Sequence, residues 1–134
     1  MHYVLIPGAA CTSWHWHPVT DELRRRGHTV TPVDLPCDDP TAGLEQYVDT
    51  VVGAVPHGEE VVLAAHSLGG FTGVMACERL PVREFVLVAA MVPAPGERIS
   101  ELTQERLGFR PDEMAGAHFP MLGHSVALVE YLLS

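Results

Sequence analysis

Basic residues are scarce in this chain. Eight Arg and Lys stand against 17 Asp and Glu, for a formal net charge of -9. Nucleic acid and anionic membrane surfaces are both held by a basic footprint, so neither is expected as a partner. Long apolar runs are missing too, and none approaches the length that crosses a bilayer. The opening MHYVLIPGAA lacks a basic start and has only a short apolar run, so it reads as a buried strand and not as a leader. Cysteine is rare: Cys11, Cys37 and Cys77 are widely spaced with no CxxC pair. That set fits neither a disulfide framework nor a zinc site, and it reads as reduced thiols in a cytoplasmic protein. Phosphate-cradling fingerprints are absent, and no cofactor is expected. His15 and His17 form a His-x-His pair, but on a helix they point apart and no third ligand cluster accompanies them, so no metal is expected.

What remains is an apolar, periodic chain. Of 134 residues, 47% are hydrophobic, enough for one domain over residues 1–134 with a real core. Tyr3 to Ile6 is a short apolar run closed by Pro7-Gly8 and reads as a buried strand. Trp14 to Arg26 carries Trp14, Val19 and Leu23 near helical spacing, with Gly27 as a stop. Further strands are expected at Thr29–Val33, Val61–Ala65 and Phe85–Ala89. Further helices are expected at Leu44–Val55, Leu68–Leu80, about Ile99–Leu107 and about Val126–Leu133. Near-continuous apolar strands alternating with helices define an α/β chain. Its sheet is mostly parallel, with about four to five strands and helices on both faces. Binding sites in such sheets lie beyond the carboxyl ends of the strands. Pro7-Gly8, Asp34, Ser67 and Met91 all fall at those ends.

The stretch AAHSLGG, residues 64–70, follows the apolar run Val61-Val62-Leu63. A serine between small residues on a strand-to-helix turn is the mounting of a nucleophilic hydroxyl. Ala65 two before and Gly69 two after are small because the turn is tight. Alanine stands where glycine is usual. The turn lifts the hydroxyl above the sheet and sets the Leu68 N–H at a helix N-terminus, where it can stabilise an oxyanion. The plainer alternative is an ordinary strand-to-helix turn with a serine cap.

These residues resemble those of the α/β-hydrolases, in particular the branch of methylesterases, salicylate-binding esterase and hydroxynitrile lyases. The resemblance runs through Val4-Leu5-Ile6-Pro7-Gly8-Ala9, Trp14-His15-Trp16, Gly27-His28-Thr29-Val30, Val33-Asp34-Leu35-Pro36, Ser67-Leu68-Gly69-Gly70 and Val88-Ala89-Ala90-Met91-Val92-Pro93. Residues 2–97 thus resemble the family's N-terminal core, and residues 98–134 its histidine-bearing C-terminal segment. The resemblance implies Ser67 as nucleophile and backbone N–H groups of Ala9 and Leu68 as the oxyanion hole. It also implies His118, in Ala117-His118-Phe119-Pro120, as the base. Trp14 and Cys11 are implied as pocket lining.

The family's lid, its seventh strand and the aspartate ending that strand are not found in this sequence. Ser67 and His118 are only 51 positions apart, so the chain reads as an internally shortened hydrolase with a seam near Pro95–Arg98. Glu97 is the nearest acid that could orient His118; otherwise the pair works as a dyad. Losing the triad's acid costs on the order of 10⁴ in turnover, roughly 5–6 kcal/mol. The expected function is therefore weak hydrolysis of small carboxylic esters. The alternatives are a non-catalytic hydrolase fold that binds a small ligand or a partner, and a hydroxynitrile-lyase-like activity. An unpaired edge near Phe85–Ala89 leads to the expectation of a homodimer or an exchange of C-terminal segments.

Overall fold

The computed structural model describes residues 1–8, 12–88 and 125–134. Among them, four strands form one sheet: β1 (His2–Ile6), β2 (Thr29–Pro32), β3 (Val61–His66) and β4 (Val82–Val88), in the order β2-β1-β3-β4. Every pairing is parallel. Four α-helices accompany them: α1 (His17–Arg25), α2 (Leu44–Gly53), α3 (Gly69–Cys77) and α4 (Ser125–Leu133). The α/β class, the parallel sheet and the four expected strands are all present. The helix expected at 99–107 lies outside the described residues.

The strands alternate between two cores. Tyr3, Leu5, Val62, Ala64, Val86 and Val88 face one side, where Trp16, just ahead of α1, Val19 and Leu23 of α1, and Leu128, Val129 and Leu132 of α4 cover them. Val4, Ile6, Val61, Leu63 and Ala65 face the other side, under Val48 and Val51 of α2 and Ala76 of α3. A sheet buried on both faces needs continuous apolar strands, and that is what Val61–Ala65 supplies. Burial of Leu128, Val129 and Leu132 stabilises the docked α4 by about 1.5–3 kcal/mol each. The Tyr3 hydroxyl, donating to the Leu132 carbonyl at 3.4 Å, adds a polar tie between β1 and α4.

Several boundaries differ from the sequence expectation by one to three residues, and two of them have a local cause. The first helical stretch is split: Ser13–Trp16 is a 3₁₀ turn, and α1 begins at His17 with Pro18 in its first turn. Proline is accepted there because its missing N–H has no intrahelical acceptor anyway. The other boundary is at β4, which starts at Val82, three residues before the expected Phe85, because Val82 and Glu84 already pair with Val61 and Val62 of β3, the register slipping past Arg83 between them. Gly27 ends α1 as expected. It sits at φ +88°, with the His28 N–H donating to the Leu23 carbonyl at 3.1 Å.

Candidate functional site

The strand order makes the site. From β1 the chain crosses one way to β2 and then the other way to β3. The crevice outside the carboxyl ends of β1 and β3 is therefore the topological switch point, where such sheets bind ligands. Gly8 follows β1 there, and Ser67 follows β3.

Ser67 is held in a conformation that non-glycine residues avoid. Its φ is +52°, and it is the only non-glycine with positive φ among the described residues. Left-handed backbone costs roughly 1–2 kcal/mol for a residue with a Cβ. The turn is fixed from both sides. The Ser67 N–H donates to the Val88 carbonyl at 3.2 Å, and the Gly70 N–H donates to the Ser67 carbonyl at 3.1 Å. A strained serine braced in this way differs from a serine capping an ordinary helix start, whose φ is negative.

The small neighbours are required by close approach. A Cβ at Gly69 would collide with the Pro7 carbonyl oxygen, and it would lie 3.1 Å from Ile6 Cγ2. One at Gly73 would meet the Phe85 ring at 2.7 Å and Ala65 Cβ at 3.3 Å. Gly73 thus lets α3 lie close against Ala65 and Phe85. Leu68 caps α3 with φ -62° and is 36% exposed. Its N–H belongs to the opening turn of a helix, where amides lack intrahelical acceptors and the helix dipole favours negative charge.

Ser67, Leu68 and Gly8 are brought together at the switch point. Ala9, Cys11, Glu97 and His118 lie outside the described residues. Trp14 is 61% exposed and lines neither of the cavities beside the serine turn. Its ring packs against His15 at 5.2 Å and His17 at 5.1 Å between centroids. The buried tryptophan is Trp16. Asp34, exposed beyond β2, accepts from the Ser13 N–H at 2.6 Å and so anchors the 3₁₀ turn to the same edge of the sheet.

The cysteine expectation is corrected. Cys37 is disulfide-bonded, while Cys77 is a free thiol. Wide spacing in sequence says nothing about separation in space, and Cys37 lies in the loop just past β2, where the strand ends converge. With a disulfide present, the argument from reduced thiols to a cytoplasmic protein loses its basis. Burial, and then the nearby Glu78, push the Cys77 thiol above its ordinary pKa, so it is a poor nucleophile. Among the described residues no cluster of His, Cys, Asp and Glu could hold a metal. No helix among them is long and apolar enough to cross a membrane.

Two cavities open beside the serine turn, between the N-terminal ends of α2 and α3. The inner one, about 310 Å³, is lined by Pro7, Gly8, Leu35, Tyr47, Leu68 and Thr72 among others. The outer one, about 360 Å³, shares Tyr47, Leu68 and Thr72 and adds Leu44 and Phe71. Sequence reasoning misses this groove. It places Tyr47 only on the apolar stripe of a helix, whereas Tyr47 is half-buried, with its hydroxyl 3.3 Å from Cys37 Sγ.

A strained serine at a strand-to-helix turn, at the switch point of a parallel sheet, is the arrangement of the α/β-hydrolases. The chain belongs to the alpha/beta hydrolase family, whose model matches residues 3–131. It is 35% identical over 116 residues to methyl jasmonate esterase 1 of Vitis vinifera, a match covering 78% of this chain and 44% of that protein. To methylesterase 3 of Arabidopsis thaliana it is 37% identical over 105 residues, covering 69% of this chain and 40% of the relative. Among solved structures, polyneuridine aldehyde esterase superposes with a TM-score of 0.62 at 31% identity, covering 74% of this chain and 44% of that one. The chain thus spans less than half the length of the relatives it matches.

Proposed function

We propose that this chain is a serine esterase that cleaves small carboxylic esters. The observation that carries the reading is the positive φ of Ser67 at the switch point. A serine that only caps a helix gains nothing from that strain. A nucleophile gains from it, because the turn frees the hydroxyl from the helix and sets it beside helix-start amides.

Ser67 Oγ attacks the ester carbonyl carbon, and the carbonyl π electrons move to oxygen. The N–H groups of Leu68 and Ala9 hold that oxyanion. His118 takes the serine proton and passes it to the departing alkoxide as the C–O bond breaks. Water, deprotonated by the same imidazole, then attacks the acyl-serine and releases the acid. Glu97 is the group proposed to orient His118; without it the pair acts as a dyad, slower by about 10⁴. The partner is a small-molecule ester, and the relatives, all three of them esterases by name, support that class.

The test is hydrolysis of p-nitrophenyl acetate by the full chain, Ser67→Ala and His118→Ala. Each variant is expected to lower kcat at least ~10³-fold with a smaller change in KM. Turnover by Ser67→Ala equal to that of the parent would contradict the assignment.

A further inference from the structure

The two cavities beside the serine turn adjoin at Tyr47, Leu68 and Thr72, which line both, and together they make a groove whose inner end is lined by Leu68 and Gly69 of that turn. Gly8 lies against Ser67: a methyl group on Gly8 would fall 2.9 Å from Ser67 Cβ. Gly8, Leu68 and Gly69 line the inner cavity. Leu68, Tyr47 and Thr72 line both cavities, so the groove continues outward to Leu44 and Phe71 at the start of α2 and along α3. Ser67 itself lines neither cavity; the groove meets the nucleophile turn through Gly8, which lies against Ser67, and through Leu68, which follows it.

Its chemistry is selective. Among the described residues no charged one lines either cavity, although the chain carries a net charge of -9. The polar side-chain atoms on its walls are neutral: the Tyr47 and Thr72 hydroxyls and the Cys37 sulfur. A carboxylate or ammonium placed there would lose its hydration and gain no counter-charge. An apolar chain would gain burial. The volumes, about 310 and 360 Å³, are each within the range of small-molecule sites and far exceed what a methyl group needs.

We infer that this groove is a subsite for an uncharged apolar chain of the substrate ester, several carbons long, extending from the reacting carbonyl past Tyr47 towards Leu44 and Phe71. The inference deepens the esterase reading and rests on Ser67 as nucleophile. An apolar chain on the acyl side and one on the alcohol side have the same chemistry, and two ester series separate them.

The full chain is assayed with p-nitrophenyl esters from acetate to decanoate, and with acetates of alcohols from ethanol to octanol. In one series kcat/KM is expected to rise about fourfold per methylene until the groove is full. The series that rises identifies which side of the ester occupies the groove. Leu44→Trp, which fills the outer cavity, should flatten the rise at the long end, lowering the long-to-short ratio at least tenfold. Tyr47→Ala should extend the rise to longer chains. Retained thermal unfolding midpoints show that both variants fold. In parallel, equilibrium dialysis of methyl octanoate against Ser67→Ala reads binding without turnover. Methyl octanoate should bind at least tenfold tighter than octanoate anion, and Leu44→Trp added to Ser67→Ala should weaken it.

Hydrolysis with flat profiles in both series, or with profiles that Leu44→Trp leaves unchanged, overturns the subsite and leaves the esterase reading standing. No hydrolysis of any ester, with methyl octanoate binding that Leu44→Trp weakens, overturns the esterase reading and keeps the groove as a neutral-chain site. Neither hydrolysis nor such binding overturns both.

Discussion

Gly8 and Ser67 meet with no room for a side chain between them. A Cβ on Gly8 would stand 2.9 Å from Ser67 Cβ, 3.0 Å from His66 Nδ1 and 3.1 Å from the His66 carbonyl oxygen. The end of β1 is thus packed against the nucleophile turn at the end of β3. Gly8→Ala is expected to destabilise the fold by about 1–3 kcal/mol, as overpacking does, and to lower ester turnover by displacing Ser67. Denaturant titration and p-nitrophenyl acetate hydrolysis check both outcomes.

Glycines elsewhere set the scale for that change. Gly69→Ala drives a methyl group into the Pro7 backbone, which cannot yield, so its cost should match or exceed that of Gly8→Ala. Gly53 ends α2 with nothing within 4 Å of the position its Cβ would take. Gly53→Ala should therefore stabilise the protein by about 0.5–1 kcal/mol through helix propensity alone. Unfolding midpoints that rank these three variants otherwise would contradict the packing described at the switch point.

Strain at Ser67 predicts an opposition between stability and activity. Alanine at position 67 inherits the same φ of +52°, whereas glycine adopts it freely. Ser67→Gly should be more stable than Ser67→Ala by about 1 kcal/mol, and both should be inactive. Equal stabilities would mean that the turn stores no strain.

Much of this site is legible from the residues. The run Val61–Ala65 ahead of Ser67, the small residues around it and the stop at Gly27 each follow from steric or burial rules acting over a few positions. The groove is not legible, because Tyr47, Leu35 and Thr72 come from three separate elements, and each looks like core in its own helix or loop. Trp14 is expected on the stripe of Val19 and Leu23, but Trp16, three and seven positions before them, is the one buried, and Trp14 is exposed. The Cys37 disulfide escapes a reading by spacing because separation along the sequence does not fix separation in space.

Glu22 gives a pH dependence. Side-chain hydrogen bonds from Arg25 and then Arg26 pull its carboxyl down from the ordinary 4.5 to about 2. Arg26 also reaches Glu130 of α4 at 2.8 Å, so the cluster spans two helices. A carboxyl with a lowered folded pKa contributes stability above its unfolded pKa and loses it as pH falls through the folded value. The Tm difference between the parent and Glu22→Gln should be full above pH 4.5 and should shrink as pH falls towards 2. A difference constant over that window would remove Glu22 from the account.

The thiols predict a labelling pattern. Cys37 should react with iodoacetamide only after reduction, and reduction should lower the Tm, since a disulfide stabilises by about 2–4 kcal/mol. Cys77, half-buried and held above its ordinary pKa, should label slowly at neutral pH and faster on denaturation. Peptide mapping by mass spectrometry reads both sites.

The measurement closest to the central claim is reaction of the folded, full chain with a fluorophosphonate, followed by mass spectrometry of the adduct. The expected result is one phosphonyl group on Ser67, absent in Ser67→Ala and strongly slowed in His118→Ala. A folded sample that takes up no label, or that carries it on another residue, would contradict Ser67 as the nucleophile and leave the fold without the chemistry proposed for it.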